Sequence, residues 1–254
     1  MSSITRRQLQ VVELLEAQER VSVADLARKF GVSEMTVRRD LEALEVTGAV
    51  SRVHGGAVRA QSRSYEPPFL ARATRRTEAK QRIAAIAASL LSKGETVILD
   101  AGTTTLEIAR ALRGHHELRV LAMSLHIANL LMDQPQITLM LCGGVVRYGE
   151  LSLTGALAER AFVDFSFDTY FISAGGVETN MGVTEYNPED AAVKRAAFAN
   201  ARRRIAVVDG SKVGATAFAR VCPVDSLDMI ITDDSAPEDQ LEQFRQAGIE
   251  VVVA

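Results

Sequence analysis

From Thr77 onward, short apolar runs recur between stretches of helical periodicity, and this alternation limits the fold more than any other feature of the chain. The run Val97–Asp100 comes first, followed by 119–122, 138–141, 169–173, 205–208, 229–232 and 250–253. A helical pattern (78–91) precedes the first run, and further helical patterns lie between most of the others. Strand-length apolar runs alternating with helices predict an α/β domain with a mainly parallel sheet. The front of the chain reads differently, as three short helical patterns and a hairpin. Residues 60–76 are rich in Ser, Pro and Arg, with Pro67-Pro68 in the middle, and read as a linker. The expected organisation is a head over 1–59, a linker over 60–76 and an α/β domain over 77–254, a division that 254 residues allow. No repeat at a fixed period is present.

Composition excludes several classes. Trp is absent and aromatics make up 5% of residues, which argues against stacking platforms for single-stranded nucleic acid. Cys142 and Cys222 sit in apolar settings without a CxxC pair, so they read as buried reduced thiols rather than disulfide or zinc ligands. His54, His115, His116 and His126 lack partners at metal spacing, and His115-His116 reads as a surface turn. No metal or cofactor is expected. No Walker A loop, GxGxxG or GxSxG motif occurs. No apolar h-region follows Arg6 and Arg7, and no apolar run is long enough to cross a bilayer; the expected location is cytoplasmic, with no membrane partner. Residues 1–82 carry 15 Lys and Arg against 10 Asp and Glu, whereas residues 83–254 carry 14 against 22, within a whole-chain net charge of −3. A basic front on an acidic body suits a DNA-binding head.

In the first helical pattern, residues 5–18, Val11, Val12 and Leu15 fall near a 3.6 period. Ser22 opens the second, with Asp25 as capping partner and Val23, Leu26, Ala27 and Phe30 on the buried face; Gly31 ends it. Ser33 caps a third helix from Glu34 to Val46, and Gly48 closes it. Val50–Arg59 then reads as a hairpin around Gly55-Gly56. This is the order of a winged helix-turn-helix. On the third helix Val37, Leu41 and Leu44 share one face. Met35, Arg38, Arg39 and Glu42 take the other, with Thr36 at the side. The N-terminal part of such a helix meets base edges in the major groove, where Arg suits guanine O6 and N7. Ser33 and Thr36 are placed to reach phosphates, and Arg52 and His54 stand on the wing. Asp40 is expected to pair with a basic neighbour rather than face DNA. A solvated charged face is the competing reading of the arginine pair.

In the second domain Asp100 ends a strand, and Ala101, Gly102, Thr103, Thr104 and Thr105 lead into a helical pattern. A strand, a Gly/Thr turn and a helix start bring hydroxyls and free backbone N–H groups together, an arrangement that holds phosphate well. An ordinary helix cap is the alternative. Gly143-Gly144, Gly175-Gly176 and Asp209–Lys212 follow other strands in the same way. Ligands of open α/β sheets collect at the carboxyl ends of strands, so these loops are expected to share one pocket. Lys212, Arg147 and Lys194 are its candidate cations. Asp100, Glu185, Glu189 and Asp209 are candidate acceptors for sugar hydroxyls.

Arg7, Val11 and Leu15, the block Ser33–Leu41 (SEMTVRRDL) and His54–Ala57 (HGGA) resemble the helix-turn-helix signature of the DeoR family of regulators. DAGTTT (100–105), SLHIAN (124–129), LCGGVVR (141–147), ISAGGV (172–177), MGVTE (181–185), EDAAVKRA (189–196), DGSK (209–212) and IITD (230–233) resemble that family's sensor domain. The resemblance implies a winged-helix regulator, most often a repressor, here of a carbohydrate-metabolism operon. It would bind double-stranded operator DNA as a homodimer or higher homo-oligomer. It also implies a sensor fold similar to ribose-5-phosphate isomerase and glucosamine-6-phosphate deaminase, and a phosphorylated sugar or sugar-alcohol effector. By the same resemblance the DAGTTT loop would hold the phosphate and Lys212 would line the pocket. Ala122-Met123 departs from the family's usual Thr-Asn pair and removes two polar groups. An isomerase- or deaminase-like enzyme fused to the head remains the alternative, with Glu185 or Asp209 beside Lys212 as proton-transfer groups.

Overall fold

The computed structural model describes residues 5–18, 20–46, 48–59, 62–114 and 117–254. His115-His116, read above as a surface turn, lies outside them. The chain divides into two compact units, Met1–Ala71 and Arg72–Ala254.

The N-terminal unit comprises α1 (Arg6–Gln18), β1 (Arg20–Ser22), α2 (Val23–Phe30), α3 (Glu34–Val46), β2 (Val50–Val53) and β3 (Gly56–Arg59). Val11, Leu15, Val21, Leu26, Val37, Leu41, Leu44 and Ala57 pack into its core. The α2 start is fixed as its sequence demands: the Asp25 amide donates to Ser22 Oγ at 3.0 Å, and that hydroxyl donates to the Asp25 carboxylate at 2.7 Å. The strand β1 was not legible in the sequence. At three residues it is too short to show alternation, and it exists because β3 pairs with it in a three-stranded antiparallel sheet of order β1-β3-β2.

The stretch 60–76, expected as a linker, contains a helix, α4 (Phe69–Ala73), with Phe69 and Ala71 buried. Pro67-Pro68 stands directly before it. The pair that reads as a loop signal here precedes a helix start, where a missing N–H costs nothing.

The C-terminal unit opens with α5 (Thr77–Ser89) and runs on through β4 (Thr96–Leu99), α6 (Thr103–Ala111), β5 (Leu118–Ala122), α7 (Leu125–Leu131) and β6 (Ile137–Leu141). A small hairpin of β7 (Val145–Val146) and β8 (Leu153–Thr154) leads to α8 (Ala156–Arg160) and β9 (Phe167–Ile172). Then come β10 (Gly176–Glu178), β11 (Gly182–Glu185), α9 (Pro188–Ala199), β12 (Ala201–Val207), β13 (Ala219–Cys222), β14 (Met229–Thr232), α10 (Glu238–Gln246) and β15 (Glu250–Val253). Seven strands form one sheet of order β15-β14-β12-β9-β4-β5-β6, every neighbouring pair parallel. Its central strands are covered on both faces, which is why Val97, Ile98 and Leu99 form an unbroken apolar run with no exposed side chain. A separate antiparallel sheet, β10-β11-β13, is absent from the sequence reading. Its strands are three or four residues long, and long connections separate β11 from β13.

Strand order sets where a ligand goes. The chain enters at β4, builds outward through β5 to β6, then returns to place β9 on the other side of β4. The crossovers therefore diverge between β4 and β9, and the carboxyl ends of these two strands are where open parallel sheets carry ligands. Cys142 and Cys222 are buried and unbridged. Burial pushes their thiols up to about 12 and about 11, so both stay protonated.

Gly56 tests the wing. A Cβ there would lie 2.0 Å from the Val21 carbonyl oxygen, so β1 and β3 approach closely only without a side chain. Gly56→Ala is expected to cost about 1–3 kcal/mol in urea unfolding; an unchanged midpoint would contradict this packing.

Candidate functional site

In the N-terminal unit the exposed face of α3 is held in place from behind. Asp40 is buried; its carboxylate takes an ion pair from Arg7 and a 3.3 Å hydrogen bond from Gln8, both on α1. The acidic residue beside the arginine pair thus ties α3 to α1 and faces away from solvent. Ser33 Oγ accepts the Thr36 amide at 3.2 Å and lies 2.9 Å from the Thr36 hydroxyl, capping the helix start. Met35 is 56% exposed. Arg38 and Arg39 are exposed. Arg38 is paired with Glu34 at 2.9 Å. Among the described residues no ion pair or hydrogen bond holds Arg39. On the wing, Arg52 is braced against the end of α3: its backbone N–H donates to Glu45 at 3.1 Å and its Nε at 2.5 Å. His54 is exposed at the β2–β3 turn.

In the C-terminal unit the switch point is closed by Asp100. Its Oδ2 accepts the Ser173 amide at 2.8 Å and the Ser173 hydroxyl at 2.9 Å, and its Oδ1 accepts the Ala101 amide at 2.8 Å. One carboxylate thereby joins the loops after β4 and β9. Lys194, on α9 and 1% exposed, directs its ammonium at Asp100 (2.8 Å), Glu185 (2.5 Å) and the Ser173 carbonyl (2.7 Å). Burial alone would lower the lysine, but the two carboxylates outweigh it and hold Lys194 above its ordinary value. Burial raises Asp100, while for Glu185 the lysine overcomes burial and lowers it. Ser173 was missed in the sequence because it reads as the last residue of a strand. The ammonium's three protons are all engaged, so Lys194 organises the loops and is not a free phosphate ligand.

The α6 start lies beside this cluster. Thr105 donates to the Asp100 carbonyl at 2.7 Å, and the N-cap Gly102 supplies no side-chain acceptor to the first turn. A Cβ at Gly102 would meet Ser173 Oγ at 2.4 Å, so the DAGTTT turn and the β9 loop touch backbone to side chain. Thr103 and Thr104 are buried, at 7% and 6% exposure.

The loops after β9 and β12 carry the next group. Lys212 donates to Tyr186 Oη at 2.9 Å, and Tyr186 donates on to the Gly175 carbonyl at 3.3 Å. Asp209 caps the turn 210–212 through Ser211, at 3.1 Å from its amide and 2.5 Å from its hydroxyl. Gly175 and Gly176 are buried against Ala217, Tyr186 and Ala215. Arg147 pairs with Asp190 at 2.6 Å and donates to Ser152 at 3.2 Å. Burial raises the Asp190 carboxyl to about 6 despite Arg147. Tyr186 directly follows the MGVTE block and carries no motif of its own; Asp190 lies inside the EDAAVKRA block but was not singled out there.

Three expected residues take no part in these contacts. Gly143 and Gly144 are exposed at the end of β6, the sheet's edge strand, with β5 between them and β4. Glu189 is exposed in the first turn of α9, where an acid complements the helix dipole. Ala122 and Met123, the departure from the family pattern, are buried at 0% and 2% exposure, and Met123 belongs to the main apolar core.

A model of the DeoR-like helix-turn-helix domain matches residues 7–63, and one of the DeoR C-terminal sensor domain matches residues 75–234. The chain is 34% identical to a putative aga operon transcriptional repressor of Escherichia coli O157:H7, over 100% of this chain and 95% of that protein. It is 32% identical to the glycerol-3-phosphate regulon repressor of Escherichia coli K12, over 92% of each. Ribose 5-phosphate isomerase A of Methanocaldococcus jannaschii aligns over 54% of each chain at 18% identity, with a TM-score of 0.41.

The buried Lys194 cluster sets a stability test. Lys194→Met leaves Asp100 and Glu185 buried without their cation, at a cost of about 3–5 kcal/mol near neutral pH. Both carboxyls in the variant prefer the protonated form, so folding takes up protons. The deficit should shrink as pH falls from neutrality towards about 4, the unfolded range of the two carboxyls, where folded and unfolded states are both becoming protonated. A pH-independent deficit in thermal unfolding would contradict the ion-pair geometry.

Proposed function

Since the chain belongs to the DeoR family of helix-turn-helix transcriptional regulators, we propose that it represses a carbohydrate-metabolism operon and that a phosphorylated sugar or sugar alcohol controls its hold on operator DNA. The head binds double-stranded DNA through α3. Arg39 and Arg38 read or clamp the major groove, Ser33, Met35 and Thr36 approach at the helix start, and Arg52 and His54 touch the backbone from the wing. Two heads in a homodimer or higher homo-oligomer engage two half-sites.

One observation carries the sensing half of this reading. The uncapped start of α6, the β9 loop and the turn bearing Lys212 stand at the ends of three adjacent strands, β4, β9 and β12, at the switch point of a parallel sheet. Backbone N–H groups and a lysine there suit a phosphate, and the Asp100–Glu185–Lys194 cluster gives the crevice a rigid floor. The relative named for a glycerol-3-phosphate regulon supports a phosphate ester as effector. The relatives are regulators, and Glu185, one of the would-be proton-transfer carboxylates, is committed to the buried ion pair with Lys194. Regulation is therefore preferred to isomerisation.

Two measurements test this. Ribose 5-phosphate, fructose 6-phosphate and glycerol 3-phosphate are compared with ribose, fructose and glycerol by thermal shift. A ligand at about 100 times its Kd adds roughly 2.7 kcal/mol and raises Tm by several degrees. A shift from one ester, absent with its free parent, is expected; equal shifts from both would remove the phosphate site. Arg39→Ala is expected to weaken binding to a duplex from upstream of the chain's own gene by about 1–3 kcal/mol, leaving the thermal shift intact. Loss of both would contradict separate modules.

A further inference from the structure

The residues just beyond the N-terminal unit are anchored to the same loops that form the crevice. Arg76 lies five positions past Ala71, the last residue of that unit. It is the N-cap of α5, with a left-handed backbone (φ 48°, ψ 37°) that a non-glycine residue adopts only where its surroundings hold it. Its carbonyl accepts the Lys80 amide at 3.0 Å, and its side chain reaches three groups of the loops after β12 and β14. Its Nε lies 3.8 Å from Asp209, its Nη1 lies 3.9 Å from Asp233, and Nη1 also donates to the Ser235 hydroxyl.

Those two carboxylates build the turn 210–212. Asp233 accepts the Gly210 amide at 2.6 Å, and Asp209 accepts the Ser211 amide and hydroxyl. The turn carries Lys212. Arg76 is thus one step removed from the candidate phosphate ligand, through side chains buried in the fold, while its own side chain is 43% exposed and makes only loose ion pairs. A second tether runs in parallel. Lys80, buried on α5, donates to the carbonyls of Arg72 and Arg75, and Arg72 is paired with Glu150 beside the β7–β8 hairpin. Lys80 also feels the charges of Asp209 and Lys212, so the segment 72–76 and the Lys212 turn share one electrostatic neighbourhood.

We propose that Arg76 is the positioning residue that couples the effector crevice to the DNA-binding unit, by bridging Asp209 and Asp233 and so registering the placement of the Lys212 turn in the segment leading to Ala71. This rests on the sensing reading above. When a phosphate engages Lys212, the turn shifts relative to the two carboxylates, the loose Arg76 bridge rearranges, and the left-handed residue is free to relax. Such a residue changes neither ligand affinity nor DNA affinity much by itself. It sets the coupling between them.

The test uses the full chain as wild type, Arg76→Ala, Arg76→Gly and Arg76→Lys. Arg76→Gly removes the guanidinium while accepting the positive φ, so it separates the lost bridge from lost folding. Binding to the labelled upstream duplex is measured by anisotropy with and without ribose 5-phosphate, fructose 6-phosphate or glycerol 3-phosphate, and the thermal shift by the same compounds is recorded. The expected wild-type ratio of the two DNA dissociation constants is about 5–150. In Arg76→Ala and Arg76→Gly the ratio should collapse towards one while the thermal shift survives, and Arg76→Lys should restore part of it. A full wild-type ratio in Arg76→Gly would overturn the coupling role and leave the sensing reading standing. If no ester shifts the wild type in either assay, the sensing reading fails and the coupling role fails with it.

Discussion

The Asp100 carboxylate is the point on which the C-terminal unit turns. It is fully buried, and all of its acceptor capacity is spent at the junction of β4 and β9, on Ser173, Ala101 and the Lys194 ammonium. A buried charge is tolerated only when it is paired and hydrogen-bonded, and here pairing achieves a second end. It locks together the two loops that diverge at the switch point. With them are fixed the α6 start on one side and, through Lys194, the β11 end at Glu185 on the other. Without that carboxylate the two loops would lose most of the hydrogen bonds that join them.

The N-terminal unit uses the same device on a smaller scale. Asp40 directly follows the Arg38-Arg39 pair in the middle of α3, where an acid facing DNA would repel phosphate. Burying it against Arg7 and Gln8 removes the repulsion and fixes the angle of α3 to α1. The arginines on the far side are left with different freedom: Arg38 has a local partner in Glu34, and Arg39 has none among the described residues. In both units, then, an acidic side chain embedded in a sequence motif serves as an internal strut.

Sequence patterns revealed what periodicity and capping encode locally. The third helix, its Ser33 cap and the parallel character of the main sheet were legible because each depends on residues close in the chain or on unbroken apolar runs; that Asp40 is paired was legible from its charge beside the arginines, but its partner on α1, Arg7, was not. The strands β1, β10, β11 and β13 were hidden, since pairing partners elsewhere create them. The helix α4 was hidden by a proline pair that signals loops and helix starts alike. For the crevice, loop positions at strand ends were readable, but roles were not. Lys194 looked like a phosphate ligand until its protons were seen committed to Asp100, Glu185 and Ser173. Gly143 and Gly144 follow β6, the sheet's edge strand, and sequence spacing could not show that β5 separates that strand from β4. The Ala122-Met123 departure removes polar side chains from positions that the fold buries in its core.

As proposed, one chain holds two linked sites, one for DNA and one for a phosphate ester. Linkage is reciprocal: an effector that changes DNA affinity by some factor must have its own affinity changed by DNA by the same factor. The most direct test is to titrate the active ester, by calorimetry, into the protein alone and into the protein saturated with its operator duplex. The account predicts two different dissociation constants, whose ratio equals the ratio of DNA dissociation constants measured with and without the ester. Identical values with and without DNA would contradict it.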